Sequence, residues 1–240
     1  MDNYNGFNEN SQYDYVSADY VYDNAARVDV DSVMIKMFAF TFVALLVTAG
    51  TAMFINPMVA IRFMTGGTFW LIFIAELAIV IVGNMAISKN MPVLAGALYL
   101  VYSVINGVTL SIIFLVYTAS SISSVFFITA CMFGVMSIIG YTTKMDLSGI
   151  GSICLMGLVG IVLASIVNMF MKNSGLDFAI AIIGVIIFVG LTAWDVQKAK
   201  QMAASGYLSE NTVALFGAFN LYLDFVNLFL KLLRIMGKRK

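Results

Sequence analysis

Histidine is missing altogether from these 240 residues, and charge is scarce, with Asp, Glu, Lys and Arg together making up 11%. The first absence removes the usual proton relay and the commonest metal ligand. Any response to pH near neutrality therefore falls to carboxylates in perturbed surroundings. The second absence excludes a soluble domain of ordinary composition, where about a quarter of residues are charged. With 19 glycines but only two prolines, collagen-like and disordered chains are excluded as well. The two cysteines, Cys131 and Cys154, lie in apolar runs as free thiols packing like small hydrophobes, and say little about redox compartment. No phosphate-binding loop, zinc motif or nucleophile elbow occurs, so the chain does not read as an enzyme.

What is present is apolar surface. Hydrophobic residues make up 61% of the chain and mean hydropathy is +0.96. Seven apolar runs are legible, at about 33–55, 68–88, 92–117, 122–141, 149–171, 178–204 and 212–235. Each is long enough for a ~30 Å hydrocarbon layer at ~1.5 Å per residue. Asp31-Ser32 reads as the cap of the first run, and Gly206 as the stop of the sixth. Alternating ~10-residue strands of an outer-membrane barrel are absent. The expected class is an all-α integral membrane protein, a seven-transmembrane-helix bundle in the cell (plasma) membrane.

Three regions follow. Residues 1–31 hold Asp2, Glu9, Asp14, Asp19, Asp23, Asp29 and Asp31 against Arg27 alone. This acidic arm reads as disordered, and it has neither the positive start of a signal peptide nor a nucleic-acid footprint. Residues 32–237 form the membrane domain, and 238–240 a basic tail that favours a cytoplasmic C-terminus. Gly157, Gly160, Ala164, Gly184 and Gly190 read as close-packing positions.

Ionisable side chains inside a span are costly and point to function. Glu76, Asp195, Asp224 and Arg234 are such residues. In the seventh span Asn220, Asp224, Asn227, Lys231 and Arg234 recur at helical spacing and make a polar stripe on one face. Asp195 has a local explanation in Lys198, three residues on. Counting back from the turn at Gly206, however, Asp195 lies ~15 Å deep and Asp224 ~18 Å deep. Two carboxylates at one depth cannot both ionise cheaply, share a proton, and attract a hard cation such as Ca²⁺ when they lose it. Glu76 and Arg234 fall toward the same side of the membrane and are expected to pair.

Three stretches carry a resemblance: GYTTKMDLSGIGS (140–152), FVGLTAWDVQK (188–198) and NLYLDFVNLFLKLLRIMG (220–237). In order and spacing they resemble the signature blocks of the transmembrane Bax-inhibitor-motif family, in its bacterial type, over residues 30 to 237. The resemblance implies seven helices with the last one central, and a pH-sensitive calcium leak. It implies a di-aspartyl pH sensor at Asp195 and Asp224, supported by Glu76 and Arg234. Relatives with an arginine latch on the second helix have no counterpart here, and Lys89 is the nearest candidate for that role. No cofactor is expected, with Ca²⁺ the bound or transported ion. The expected partners are the lipid bilayer, calcium ions, protons and other membrane proteins, with the chain a monomer or weak oligomer. The alternative reading is a non-transporting regulatory protein, for example a modulator of membrane proteases. An intramembrane aspartyl protease fits poorly, because its GxGD block is replaced here by LYLD. A retinal pump fits no better, since Lys231 lies toward the membrane edge.

Overall fold

Short polar side chains set where the helices begin. In the computed structural model, which describes residues 29–64 and 67–240, nine helices succeed one another. They are α1 Val30–Phe54, α2 Pro57–Met64, α3 Gly67–Ser88, α4 Pro92–Leu110, α5 Ile113–Val116, α6 Ala119–Thr142, α7 Ser148–Met171, α8 Ser174–Ser205 and α9 Glu210–Met236. Residues 1–28, and with them nearly all of the acidic arm, lie outside the described residues. The cap of α1 is Asp29, two residues before the expected position; its carboxylate accepts from Asp31 N–H. Asp31 instead enters the first turn, where negative charge suits the helix dipole, and accepts from the Tyr141 hydroxyl. Asn173 caps α8 by accepting from the amides of Gly175 and Leu176, and Ser209 caps α9 by accepting from Thr212. Gly206 ends α8 at φ +67°, a left-handed conformation that glycine adopts without a Cβ penalty.

Seven of these elements are long and apolar enough to cross a membrane, with α4 and α5 together forming one span, Pro92–Val116. Their order matches the seven runs read from sequence. The last is central: α9 packs against α8, α1, α6, α4 and α3. Its most apolar window is 67% buried, against 11% for α7, so α9 is the shared core and α7 presents its sides to lipid.

A buried hydrogen-bond chain joins α9 to its neighbours. Asn106 Nδ2 donates to Tyr222 Oη at 2.9 Å; Tyr222 and the Thr48 hydroxyl are 2.7 Å apart; Thr48 donates to the Ser103 carbonyl at 2.9 Å. Because Thr48 spends its proton on Ser103, Tyr222 must donate to Thr48 and accept from Asn106. Tyr99, Tyr102 and Phe219 pack edge-on around this chain. Removing the hydroxyl in Tyr222→Phe strands a buried donor and a buried acceptor. We expect a loss of about 1–3 kcal/mol in unfolding stability in detergent micelles, the usual cost of such groups. An unchanged midpoint would show that the chain is dispensable.

The small residues divide into two kinds. A Cβ on Gly157 would approach Ile187 to 2.9 Å and one on Gly190 would approach the Cys154 sulfur to 2.7 Å, so both are close-packing positions as expected. Gly160 is not, since nothing lies within 4 Å of its would-be Cβ. The basic tail is also fixed: Thr118 N–H donates to the Lys238 carbonyl and Lys240 N–H to the Val116 carbonyl, pinning residues 238–240 to the α5–α6 turn.

Candidate functional site

The three signature stretches converge on one short segment of α8. Gly140 of α6 lies directly on the Ala193 backbone, and Gly151 of α7 lies on the Trp194 ring. Gln197 clasps the loop between them, accepting from Leu147 N–H at 2.8 Å and donating to the Met145 carbonyl at 2.7 Å. In the same loop Asp146 accepts from the Ser148 amide, and the Ser148 hydroxyl, followed by that amide, holds its carboxyl below the usual range. Residues 193, 194 and 197 are thus gripped on both sides of Asp195, which fixes the direction of its side chain. From α9, Asp224 lines the same cavity.

Both acids are buried, Asp195 at 8% and Asp224 at 4% relative exposure, and both line one cavity. Asp224 Oδ2 is sealed from solvent and meets no donor group from elsewhere in the described structure. The pair borders a cavity of about 450 Å³ between α7, α8 and α9, which Asn84 of α3 also reaches. Lys198 lies at this cavity with its ammonium 4.7 Å from the Trp194 ring centre and 5.1 Å from that of Phe216. The local explanation for Asp195 is therefore only half right. The Lys198 ammonium rests on aromatic faces and forms no ion pair with Asp195 among the described residues, though both line the cavity.

The polar stripe of α9 is one face serving two cavities. Asn220, Asp224 and Asn227 line the first; Asn227 Nδ2 folds back to the Leu223 carbonyl at 2.8 Å. Lys231 and Arg234 line a second, of about 370 Å³, together with Asn168, Lys172, Asn173 and Asp177.

The expected pairing of Glu76 with Arg234 is not what forms. Arg234 pairs with Asp177 of α8, while Glu76 accepts from the Thr109 hydroxyl at 3.3 Å. The reason is topological. Helices α8 and α9 are antiparallel neighbours with the most extensive interface in the molecule, so the first turn of one lies beside the last turn of the other. An acid at an N-terminus and a base at a C-terminus also complement both helix dipoles. Asp177 could have been found by asking which acid stands at that end of the sixth span. Nor is Lys89 brought to Asp195: it is exposed beyond α3, and no bond between the two occurs among the described residues. Lys198 is the cation at that cavity. Asn84 also escaped sequence reasoning, although a polar amide inside an apolar run is a legible signal.

For a cation the pair offers two carboxylates, with the amide oxygens of Asn220, Asn227 and Asn84 on the same cavity. No cluster of three or more His, Cys, Asp or Glu occurs among the described residues. Calcium held tightly takes six to eight oxygens, so this donor set suits brief occupancy rather than storage.

A family profile described as "Inhibitor of apoptosis-promoting Bax1" matches residues 30–240. The chain is 45% identical over 221 residues to the inner membrane protein YbhL of Escherichia coli strain K12, covering 89% of this chain and 94% of that one. It is 41% identical over 216 residues to an uncharacterized protein of Rickettsia prowazekii, covering 86% and 89%. To an uncharacterized protein of Borreliella burgdorferi it is 46% identical over 184 residues, covering 75% and 79%.

Proposed function

The chain belongs to the family described as inhibitors of apoptosis-promoting Bax1, and from that premise we propose that this multi-pass membrane protein is a calcium leak channel gated by protonation of Asp195 and Asp224. The observation that supports the reading is that two buried carboxyl groups, one with a sealed oxygen that has no hydrogen-bond partner among the described residues, line one cavity in a membrane bundle.

The chemistry follows from charge. With one proton between them the two acids form a hydrogen bond that ties α8 to α9. Without it, two negative charges in a low dielectric repel, and the same site draws a divalent cation. Lys198 of α8 lines the same cavity and brings a positive charge to it. In this reading the proton-bound pair is the closed state. The sign is then fixed: the tie is complete while the proton is held and is lost as pH rises, so leak increases from acid to alkaline solution. Weak, few-oxygen coordination suits an ion that must enter and leave.

The test is calcium uptake into liposomes carrying the full chain, read by an enclosed dye across a pH series. Uptake that rises with pH supports the reading. Uptake that ignores pH, or none above protein-free liposomes, removes it.

A further inference from the structure

The two cavities lie end to end. On α7 the first is lined by Leu158 and the second by Ser165; on α8 by Phe188 and Ile180; on α9 by Asn227 and Arg234. All three helices place them in the same order along the bundle, so only a short junction separates them. Lys231 occupies that junction. Its Cγ, Cδ and Cε run across Gly184, where a Cβ would meet them at 3.0, 3.1 and 3.0 Å. Gly184 falls between Ile180 and Phe188, at the boundary of the two lining sets. Ile161 of α7 and Leu228 of α9 belong to the same buried apolar cluster as Ile180. Among the described residues nothing accepts a hydrogen bond from the Lys231 ammonium, whereas Arg234, one turn on, is engaged by Asp177.

We infer that Lys231 is the residue that closes the path between the two cavities and selects by charge what crosses it. The four-carbon stem fills the groove that a missing side chain at Gly184 leaves on α8. The unpaired ammonium sets a positive charge on the wall of the second cavity beside this junction, where it repels an approaching cation. The selectivity half of this assignment rests on the leak-channel reading; the closure half rests on geometry alone.

Thiol accessibility separates the two. In the full chain with Cys131→Ser and Cys154→Ser, a single reporter, Leu158→Cys, is placed in the first cavity. A cationic, membrane-impermeant methanethiosulfonate is applied to proteoliposomes from the side on which α9 ends. With Lys231 in place, labelling is slow. In Lys231→Ala it accelerates about tenfold, corresponding to roughly 1.4 kcal/mol off the barrier, and Lys231→Arg restores the slow rate. Should the alanine variant fail to fold, Lys231→Met keeps the stem on Gly184 and removes only the charge, and labelling by the cation still rises severalfold. Equal rates in all folded variants overturn the assignment. Calcium uptake by the same proteoliposomes gives the second arm. Labelling that responds to residue 231 with no uptake in any variant sustains the closure and refutes the channel reading. Uptake present in the parent, with neither uptake nor labelling altered at residue 231, refutes the closure and leaves the channel reading standing.

Discussion

Asp224→Asn is expected to hold calcium uptake at its acid-limit level at every pH, so that the rise toward alkaline solution disappears. Asparagine preserves the shape of the buried side chain, and its amide donates a permanent hydrogen bond to the Asp195 carboxylate. That bond stands in for the shared proton but cannot be titrated away. Repulsion between two charges never develops, and the α8–α9 tie persists. The variant should fold well, because a buried oxygen without a donor is replaced by an amide N–H that has the Asp195 carboxylate as acceptor. Asp224→Ala is a useful contrast: it cuts the tie, leaves Asp195 buried without its partner, and should raise uptake at acid pH. A pH-dependent rise that survives Asp224→Asn intact would place the sensor elsewhere.

The second large effect is on stability. Gly140→Ala is expected to destabilise the bundle by about 1–3 kcal/mol, the range for forcing an extra methyl into a packed interior. The obstacle is decisive here. A Cβ at Gly140 collides with the Ala193 backbone of α8, which cannot swing aside as a side chain can. Helices α6 and α8 must separate at a point two residues from Asp195, so the acid pair shifts with them. The matched control is Gly160→Ala, where nothing stands within 4 Å of the new atom. That change should be neutral or stabilising by up to ~1 kcal/mol through helix propensity alone. Thermal unfolding of both variants in the same detergent measures the difference. Equal midpoints would mean that the contact between α6 and α8 relaxes freely.

These two sites differ in how far the sequence revealed them. Asp224 was visible because a charge inside an apolar run has no cheap bulk explanation, and helical spacing aligned Asn220, Asn227, Lys231 and Arg234 with it. Gly140 stood inside a recognisable stretch, yet nothing in one dimension says that its missing side chain meets the backbone at Ala193. The pairing of Arg234 marks the same limit. Depth counting assigns Glu76 and Arg234 to one side of the membrane, but side alone does not choose among neighbours. Helix α9 lies along the whole length of α8 and touches α3 lightly, so Asp177 takes the arginine.

By itself the sequence determined the class, the seven spans, the helix stop at Gly206 and the depth of the two acids. These follow from length, apolarity and local capping, which act along the chain. Only the tertiary structure decided that the stripe on α9 serves two cavities, that Gln197, Gly140 and Gly151 grip the segment bearing Asp195, and that Lys231 lies over Gly184. Those contacts depend on the rotation and separation of packed helices, which a single helix period leaves free. LTAWDVQK, in isolation one acid near one lysine, becomes in the fold the segment that α6, α7 and their loop grip and that carries one of two buried acids to a single cavity.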